Sequence, residues 1–318
     1  MPPAAPSLLA VHDGRAGNAR QALALARALD PQAADWTLQP GWLARRLAPH
    51  RWPGLRAPFG AAFAARCRQP PALAIGCGRQ AALATRLLRA GGARTVQILD
   101  PRLPPRHWDL LVVPEHDRLR GGNVLTLRGS LHPVDAAWLA AARRAFPALA
   151  ALPAPHTVLL VGGPSRHAAL DDAGFAALLQ ALAAHARASG GSFSAIASRR
   201  TPAAWRMALA AVAPGIPGLR WRDSGDGANP YAGLLAHADR LVCTPDSVNM
   251  LSEAAATAAP LYVWEPGRTR GRLHAFVADL LASGRARPLD PALAAFPVTP
   301  LRETARIAAA VRARFGLP

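Results

Sequence analysis

The chain has 318 residues, 51% of them hydrophobic and 18% charged, and this length is sufficient for two globular domains. No apolar run reaches the roughly 18 residues that a membrane-spanning helix needs, and the cysteines form no CxxC pair. The net charge of +18 comes entirely from arginine, which occurs singly and in pairs rather than in long basic runs. We therefore disfavour nucleic acid as a partner and expect a cytoplasmic protein with reduced cysteines.

In the first half of the chain, short apolar runs alternate with segments rich in alanine and leucine. The runs predict strands at 7–11, 72–76, 95–99 and 109–113, and the intervening segments predict helices at 19–29 and 80–90. This alternation is typical of a parallel sheet with crossover helices. A further helix is predicted at 135–144. The prolines that follow it cannot continue a helix, so we place the end of a first domain, 1–150, there.

The second half repeats this pattern over a second domain, 151–298. Strands are predicted at 157–163, 192–198, 239–243 and 261–265, with helices at 173–188 and 203–212. Residues 299–318 predict a terminal helix, with Thr299 as its N-cap and Pro300 at its first position. The sequence therefore predicts an α/β protein of two Rossmann-like, doubly wound domains.

Three loops in the second half follow predicted strands and precede helices. Ligands of open parallel sheets bind at this edge, where glycines admit a phosphate, arginine forks pair with it and helix starts attract it. The candidate residues for this site are Gly162, Gly163, Ser165, Ser198, Arg199, Arg200, Thr201, Asp246 and Ser247. Together the loops predict a diphosphate site, although ordinary turn and capping interactions explain each loop alone.

The helix after the third loop carries a polar face. Asp246, Asn249 and Glu253 are spaced to lie on one side of it. A carboxylate at Glu253 suits the paired hydroxyls of a ribose, two turns from a phosphate. The alternative is that Asp246 caps the helix and Glu253 pairs with an arginine.

The first half contains two glycine-containing loops. The sequence DGRAGN, with Gln21 one turn later, places backbone turns and polar side chains at a helix start. The sequence GCGRQA at 76–81 matches the dinucleotide pattern G-x-G-x-x-A, but it begins far from the first strand and contains Arg79, which weighs against NAD(P). A plain turn is the alternative for DGRAGN. The candidate substrate-binding residues are Gly14, Arg15, Gly17, Asn18, Gln21, Gly76 and Gly78.

Two further features of the first half are candidates for a general base and for contact with a membrane or a lipid. His116 and Asp117 follow a strand and, with Asp13, are the candidates for a general base. No second histidine stands at ligand spacing, so we predict no metal site. Residues 41–68 combine Trp42 and Trp52 with Phe59, Phe63 and six arginines. That composition predicts contact with the inner face of a membrane or with a lipid-linked acceptor, or else amphipathic helices packed on the sheet.

Several motifs resemble a known family. DGRAGN, residues 97–117, VGGPSRH, SRRTP, residues 229–254 and EPGRTRGRLHAF are similar to the bacterial relatives of the plant mitochondrial-fission factor named for elongated mitochondria. Bacterial members are also labelled predicted nucleoside-diphosphate-sugar epimerases. The resemblance implies a GT-B-like fold, in which two Rossmann-like domains face each other across a cleft and the last helix returns to the first domain.

The resemblance also implies residue roles. In GT-B enzymes such as the lipid-intermediate-type N-acetylglucosaminyltransferases, the second domain holds the nucleotide. By motif, Gly162, Gly163 and Ser165 would lie near the diphosphate, Ser247 near a phosphate and Glu253 at the ribose. The chain departs from the usual Ser-Gly pair of that motif, because Asp246 precedes Ser247 and Val248 follows it.

We therefore predict a glycosyltransferase that uses a nucleotide-diphosphate sugar and requires no further cofactor. Arg199 and Arg200 would stabilise the leaving diphosphate. An epimerase would use the same pocket without an acceptor. A non-catalytic scaffold is the alternative from another class, because plant members of the family are discussed as adaptor proteins.

Overall fold

The computed structural model describes residues 7–52, 57–212 and 214–317. Within these, residues 7–133 and 303–317 form one compact unit, and residues 134–302, apart from 213, form another. The predicted boundary at residue 150 falls inside the second unit, because helix Ala136–Ala145 packs on helix Tyr231–His237. Residues 53–56 of the segment rich in tryptophan and arginine lie outside the described residues.

The first unit is built on a six-stranded parallel sheet. Its strands are β1 (Leu8–His12), β2 (Ala34–Thr37), β3 (Leu73–Cys77), β4 (Arg94–Ile98), β5 (Leu110–Pro114) and β6 (Val124–Leu127). The order across the sheet is β2, β1, β3, β4, β5, β6. Its helices are α1 (Ala16–Leu29), α2 (Trp42–Leu47), α3 (Ala61–Arg68), α4 (Arg79–Ala90) and the terminal helix Glu303–Phe315.

The second unit repeats this architecture with α5 (Ala136–Ala145) before its sheet. Its strands are β7 (His156–Val161), β8 (Ser192–Ala197), β9 (Arg220–Trp221), β10 (Arg240–Cys243), β11 (Leu261–Val263) and β12 (Ala286–Pro288). The order is β12, β11, β10, β7, β8, β9, and all described pairs are parallel. Its other helices are α6 (Asp172–Ser189), α7 (Ala203–Ala211), α8 (Tyr231–His237), α9 (Val248–Ala255) and α10 (Gly271–Ala282), and the terminal helix of the chain is α11.

The long strands formed as the apolar runs predicted. β1, β3, β5, β7 and β8 are buried along their whole length, as expected for parallel strands covered by helices on both faces. β2, β6, β9 and β12 were not predicted, because they have no continuous apolar run. Each of them is an outermost strand of its sheet, where one side of the strand is exposed to solvent.

The terminal helix α11 packs on α1 within the first unit, through Ile307, Ala308 and Val311. It begins at Glu303, so the predicted N-cap at Thr299 is wrong. The residues just before it are held by other hydrogen bonds: the Leu301 N–H donates to the Ala255 carbonyl at 2.8 Å. These bonds satisfy backbone groups at the end of α9 rather than starting a helix.

Each sheet has a switch point, the place where successive strands depart to opposite sides of the first strand. In the first unit it lies between β1 and β3, and in the second between β7 and β10. Crevices for ligands form at the carboxyl ends of strands at such points. Among the described residues, no helix is long and apolar enough to cross a membrane.

Candidate functional site

The three loops predicted to form a site in the second unit do follow neighbouring strands. They leave β10, β7 and β8, which lie side by side at the switch point. The structure therefore brings together the loop after β7, residues 198–201 after β8, and residues 244–247 after β10.

Asp246 lies at the centre of this cluster, with its side chain fully buried. One carboxylate oxygen accepts a hydrogen bond from the Thr244 hydroxyl at 2.7 Å, and the other accepts from Arg200 Nη2 at 2.7 Å. The Gly163 backbone N–H also donates to this carboxylate. Burial raises the pKa of Asp246 above its usual range, against the opposite effect of these donors.

The two glycines after β7 are required by packing against this carboxylate and the next loop. A Cβ on Gly162 would lie 2.0 Å from Asp246 Oδ1, and one on Gly163 would lie 2.8 Å from the Arg200 carbonyl oxygen. The Gly162 N–H donates to the Thr244 hydroxyl at 2.7 Å. The internal carboxylate and its neighbours thus explain both glycines without a ligand.

The hydroxyls of the 198–201 loop hold its backbone. The Thr201 hydroxyl lies 2.7 Å from the Gly162 carbonyl oxygen, and the Ser198 hydroxyl accepts from the Arg200 N–H at 3.2 Å. Arg206 on α7 donates to the carbonyls of Ser198 and Thr201. With its backbone held in this way, the loop leaves the side chains of Arg199 and Arg200 exposed.

The two guanidiniums differ in their pairing. Arg200 donates one N–H to Asp246, while 54% of its side chain is exposed. Arg199 is exposed and makes no hydrogen bond or ion pair with residues 7–52, 57–212 or 214–317. Because a guanidinium has five N–H donors, both side chains retain donors for an anion.

The candidate Ser165 lies in a tight turn of the loop after β7. Its backbone forms a bridge with Ala168, and its hydroxyl accepts from the His167 N–H at 3.2 Å. The side chain is partly exposed.

The helix α9 is capped by Ser247, whose hydroxyl accepts from the Met250 N–H at 3.4 Å. The predicted capping by Asp246 is therefore wrong, because that carboxylate turns toward Thr244 and Arg200 instead. Glu253 is only 3% exposed and accepts a hydrogen bond from the Tyr231 hydroxyl at 2.6 Å. Sequence reasoning did not connect Tyr231 with Glu253.

In the first unit, the candidate residues after β1 mostly bind one another. Asp13 Oδ1 accepts from the Arg15 N–H at 3.2 Å and from Asn18 Nδ2 at 3.0 Å, and its side chain is 7% exposed. Gln21 Nε2 donates to the Gly17 carbonyl at 3.3 Å. Most of these polar groups therefore bond within the turn before α1, whereas the Arg15 side chain is 82% exposed and no asparagine caps the helix.

A hydrogen-bonded pair, His12 and Asp35, supports this turn and was not indicated by the sequence. The Gly14 N–H donates to His12 Nδ1 at 3.1 Å, so that nitrogen carries no proton. His12 Nε2 therefore donates to Asp35 Oδ1, at 2.7 Å. Asp35 lies on β2, a strand that has no apolar run, so no signal in the sequence could have paired the two residues.

The glycines of GCGRQA also have packing explanations. A Cβ on Gly76 would lie 2.6 Å from Thr85 Cγ2, and one on Gly78 would lie 2.4 Å from Asn18 Nδ2. The expectation that Gly76 approaches a substrate is therefore unnecessary, because a buried network around Thr85 and Gln97 occupies that space. Gly78 additionally borders a cavity of the first unit.

His116 and Asp117 form a short 3₁₀ helix after β5, and both are half-buried. Three strand spacings, about 14 Å, separate the end of β5 from that of β1, so the structure does not bring them together with Asp13. In the segment at 41–68, Phe59 and Phe63 are core residues, whereas Trp42 is 77% and Trp52 55% exposed. Among the described residues, no cluster of His, Cys, Asp or Glu could hold a metal ion.

A family model described as "Mitochondrial fission ELM1" matches residues 16–315 of the chain. The chain is 28% identical over 273 residues to the mitochondrial fission protein ELM1 of Arabidopsis thaliana, covering 76% of this chain and 63% of the plant protein. It thus spans less than two thirds of the length of that relative. An uncharacterised protein of Rickettsia prowazekii is 24% identical over 358 aligned positions, covering 95% of this chain and 96% of its own length.

Solved structures with a similar fold share little sequence with this chain. The complex of O. sativa Os79 with UDP has a TM-score of 0.51 at 12% identity, covering 96% of this chain and 90% of Os79. The S. aureus MnaA–UDP co-structure has a TM-score of 0.50 at 10% identity, covering 98% of this chain and 97% of MnaA. These similarities confirm the predicted fold class, Rossmann-like α/β domains of the GT-B type.

Proposed function

The chain belongs to the mitochondrial fission ELM1 family and has a GT-B-like fold, and from this premise we propose that its second unit binds a nucleoside-diphosphate sugar and that the protein is a glycosyltransferase. The observation that carries this proposal is the cluster of outward-facing guanidiniums at the switch point between β7 and β10. The UDP in the Os79 and MnaA structures of similar fold supports the same class of ligand.

Arg199 and Arg200 would hold the diphosphate. Arg200 is oriented by its bond to the buried Asp246, so its remaining N–H groups have a defined direction before a ligand arrives. Arg199 has a full positive charge with no partner in the described part of the chain. Fixed positive charge of this kind stabilises the negative charge that develops on a leaving diphosphate.

Glu253 would accept hydrogen bonds from the ribose hydroxyls. Because Glu253 is buried and bonded to Tyr231, a ribose hydroxyl would replace or share the Tyr231 hydroxyl as its donor. The hydroxyl of a ribose and that of a tyrosine make the same type of hydrogen bond to a carboxylate.

In the transfer, an acceptor oxygen would bond to the anomeric carbon while the bond from that carbon to the diphosphate breaks. The acceptor proton would pass to a general base, for which Asp13, His116 and Asp117 stay the predicted candidates.

Thermal unfolding with UDP, GDP, CDP, dTDP and ADP tests the binding step. A nucleotide at one hundred times its dissociation constant should stabilise the protein by about 2.7 kcal/mol, which raises Tm by a few degrees. Arg199→Ala should abolish this shift without lowering the Tm of the free protein, since Arg199 makes no hydrogen bond or ion pair with the residues that the structure describes. Arg187→Ala, an exposed arginine at the end of α6, is the matched control and should keep the shift.

Glu253→Gln separates ribose binding from folding, because glutamine can still bond to Tyr231 while losing the charged acceptor. We expect weaker nucleotide binding in this variant. Release of nucleoside diphosphate from a nucleotide sugar, detected only when an acceptor is added, would support transfer. Conversion of the nucleotide sugar alone would favour an epimerase, and the absence of stabilisation by any nucleotide would overturn the proposal.

A further inference from the structure

The first unit contains a cavity of about 430 Å³ at the carboxyl ends of β3 and β4. It is lined by residues 46–50 at the end of α2, by Gly78 and Arg79 at the start of α4, and by the end of β4 with the loop that follows it. All of these residues belong to the first unit. The cavity lining therefore shares no residue with the proposed nucleotide site.

The lining of this cavity is strongly basic. The lining residues include Arg46, Arg79, Arg102 and His50, with Asp100 as the one acidic residue among them. That carboxylate accepts a hydrogen bond from the Arg102 backbone N–H at 2.8 Å, within its own loop. Three guanidiniums and one carboxylate leave an excess of positive charge at the cavity wall.

The guanidiniums keep donors available for a ligand. Arg79 Nη2 donates to the Arg45 carbonyl at 2.8 Å, which fixes this side chain between α2 and α4 and leaves its other N–H groups. Arg46 has no partner among the described residues. Arg102 Nε lies 3.9 Å from Asp100 Oδ2, and 72% of the Arg102 side chain is exposed. Arginine forks of this kind match the oxygens of a phosphate in geometry and charge.

More positive charge surrounds this wall. Arg86 donates to the Pro49 carbonyl at 2.8 Å, and its pKa is lowered by burial and by the charge of Arg51. Like charges gathered in this way repel one another, and an anion in the cavity would relieve that repulsion.

An apolar surface adjoins the cavity. Trp42 precedes Arg46 by one helical turn on the same face of α2 and is 77% exposed. Trp52, two residues beyond His50, is 55% exposed. A ligand that carries both a phosphate and an apolar group could therefore contact both surfaces.

We propose that this cavity is a binding site for a phosphate or diphosphate group, held by Arg46, Arg79 and Arg102. The group belongs either to a soluble phosphate ester or to the head group of a lipid. The two sources share the same chemistry at the cavity and differ in whether the exposed tryptophans take part.

Two probes distinguish the sources. Inorganic pyrophosphate, titrated by calorimetry, represents the soluble ligand. Vesicles of phosphatidylcholine that contain phosphatidic acid, with pure phosphatidylcholine vesicles as reference, represent the lipid. We expect at least one probe to bind, and Arg46→Ala and Arg102→Ala each to weaken that binding about tenfold. Trp42→Ala should weaken vesicle binding and leave pyrophosphate binding unchanged.

Arg68→Ala is the control, because Arg68 is an exposed arginine at the end of α3 outside the cavity lining. It removes the same charge and should bind both probes as the unmodified protein does. Pyrophosphate can also bind the diphosphate site proposed for the second unit, so the titrations are repeated in an Arg199→Ala background, where the binding that remains and is weakened by Arg46→Ala belongs to the cavity.

Failure of both probes to bind would overturn the proposal. So would equal weakening by Arg68→Ala, because that result would show attraction to general surface charge. Arg46 is exposed and makes no hydrogen bond or ion pair with a described residue, so its loss should not unfold the protein, and an unchanged Tm of Arg46→Ala checks this.

Discussion

At the switch point of the second unit, donors converge on the buried carboxylate of Asp246, whereas the strands beside the switch point of the first unit border an open cavity lined by arginines. The two sheets have corresponding strand orders around these points. The second unit therefore buries a carboxylate among its donors, whereas the cavity of the first unit has three arginines and one aspartate in its lining.

The order of strands in a parallel sheet therefore determines where a site can form, but the side chains of the loops determine which charged groups the site holds. In the second unit the internal carboxylate orients Arg200 and closes the space beneath the loops. In the first unit Asp13 closes only the turn after β1, and the edge formed by β3 and β4 stays open. Substitutions that disrupt the packing at the two switch points should therefore lower the free energy of unfolding by different amounts.

The largest effect is expected for Gly162→Ala. Its new Cβ would lie 2.0 Å from Asp246 Oδ1 in a buried cluster, so we expect a loss of about 3 kcal/mol or more in the free energy of unfolding. In the first unit Gly14→Ala places its Cβ 3.4 Å from the nearest atom and strains only a backbone with φ of 76°. That substitution should cost about 1–2 kcal/mol.

Urea unfolding of the two variants measures this contrast. Gly267→Ala is the control in the second unit, because nothing lies within 4 Å of its Cβ position, and it should change stability little. Equal costs at Gly162 and Gly14 would show that the second switch point is not more tightly closed than the first.

A smaller effect is expected for Thr244→Val. The Thr244 hydroxyl is buried and links the Gly162 N–H to Asp246, so its removal leaves two buried groups without that partner. We expect a loss of about 2 kcal/mol in the free energy of unfolding. The counterpart in the first unit, Asn18→Ala, removes a part-buried hydrogen bond to Asp13 and a weak one from the Cys77 thiol, and should cost about 1 kcal/mol. A smaller loss for Thr244→Val than for Asn18→Ala in the same urea experiment would contradict this ranking.

The smallest effect is expected for Asp246→Asn, and its sign depends on pH. Because burial raises the pKa of Asp246, the folded protein retains this proton to a higher pH than the unfolded chain does. The unmodified protein should therefore lose stability relative to Asp246→Asn as pH rises from the usual range of an aspartate to the raised pKa. Below that range the two proteins should differ least.

Tm values of both proteins across mildly acidic to neutral pH measure this trend. The opposite trend, with the unmodified protein gaining stability relative to the variant as pH rises, would show that pairing with Arg200 outweighs burial. That result would mean that the second switch point favours a charged carboxylate rather than tolerating one.

The long apolar strands and the helices between them could be predicted from the sequence, because their hydrophobic runs are local and continuous. The adjacency of the loops after β7 and β8 followed from the same pattern, since consecutive strands lie near one another, whereas β10 lies beside β7 because the strand order reverses there. Edge strands such as β2 and β9 could not be predicted in this way, because half-exposed strands of a few residues have no distinctive pattern.

Local sequence patterns were sufficient to predict the class of fold and the residue types at the strand ends. Which of those side chains meet depends on how the strands are arranged in each sheet. Asp246 bonds to Arg200 across 46 residues, Tyr231 to Glu253 across 22, and His12 to Asp35 across 23. Partners so far apart in the chain are selected by sheet order and register, so a capping or ligand role read from local spacing could not anticipate them.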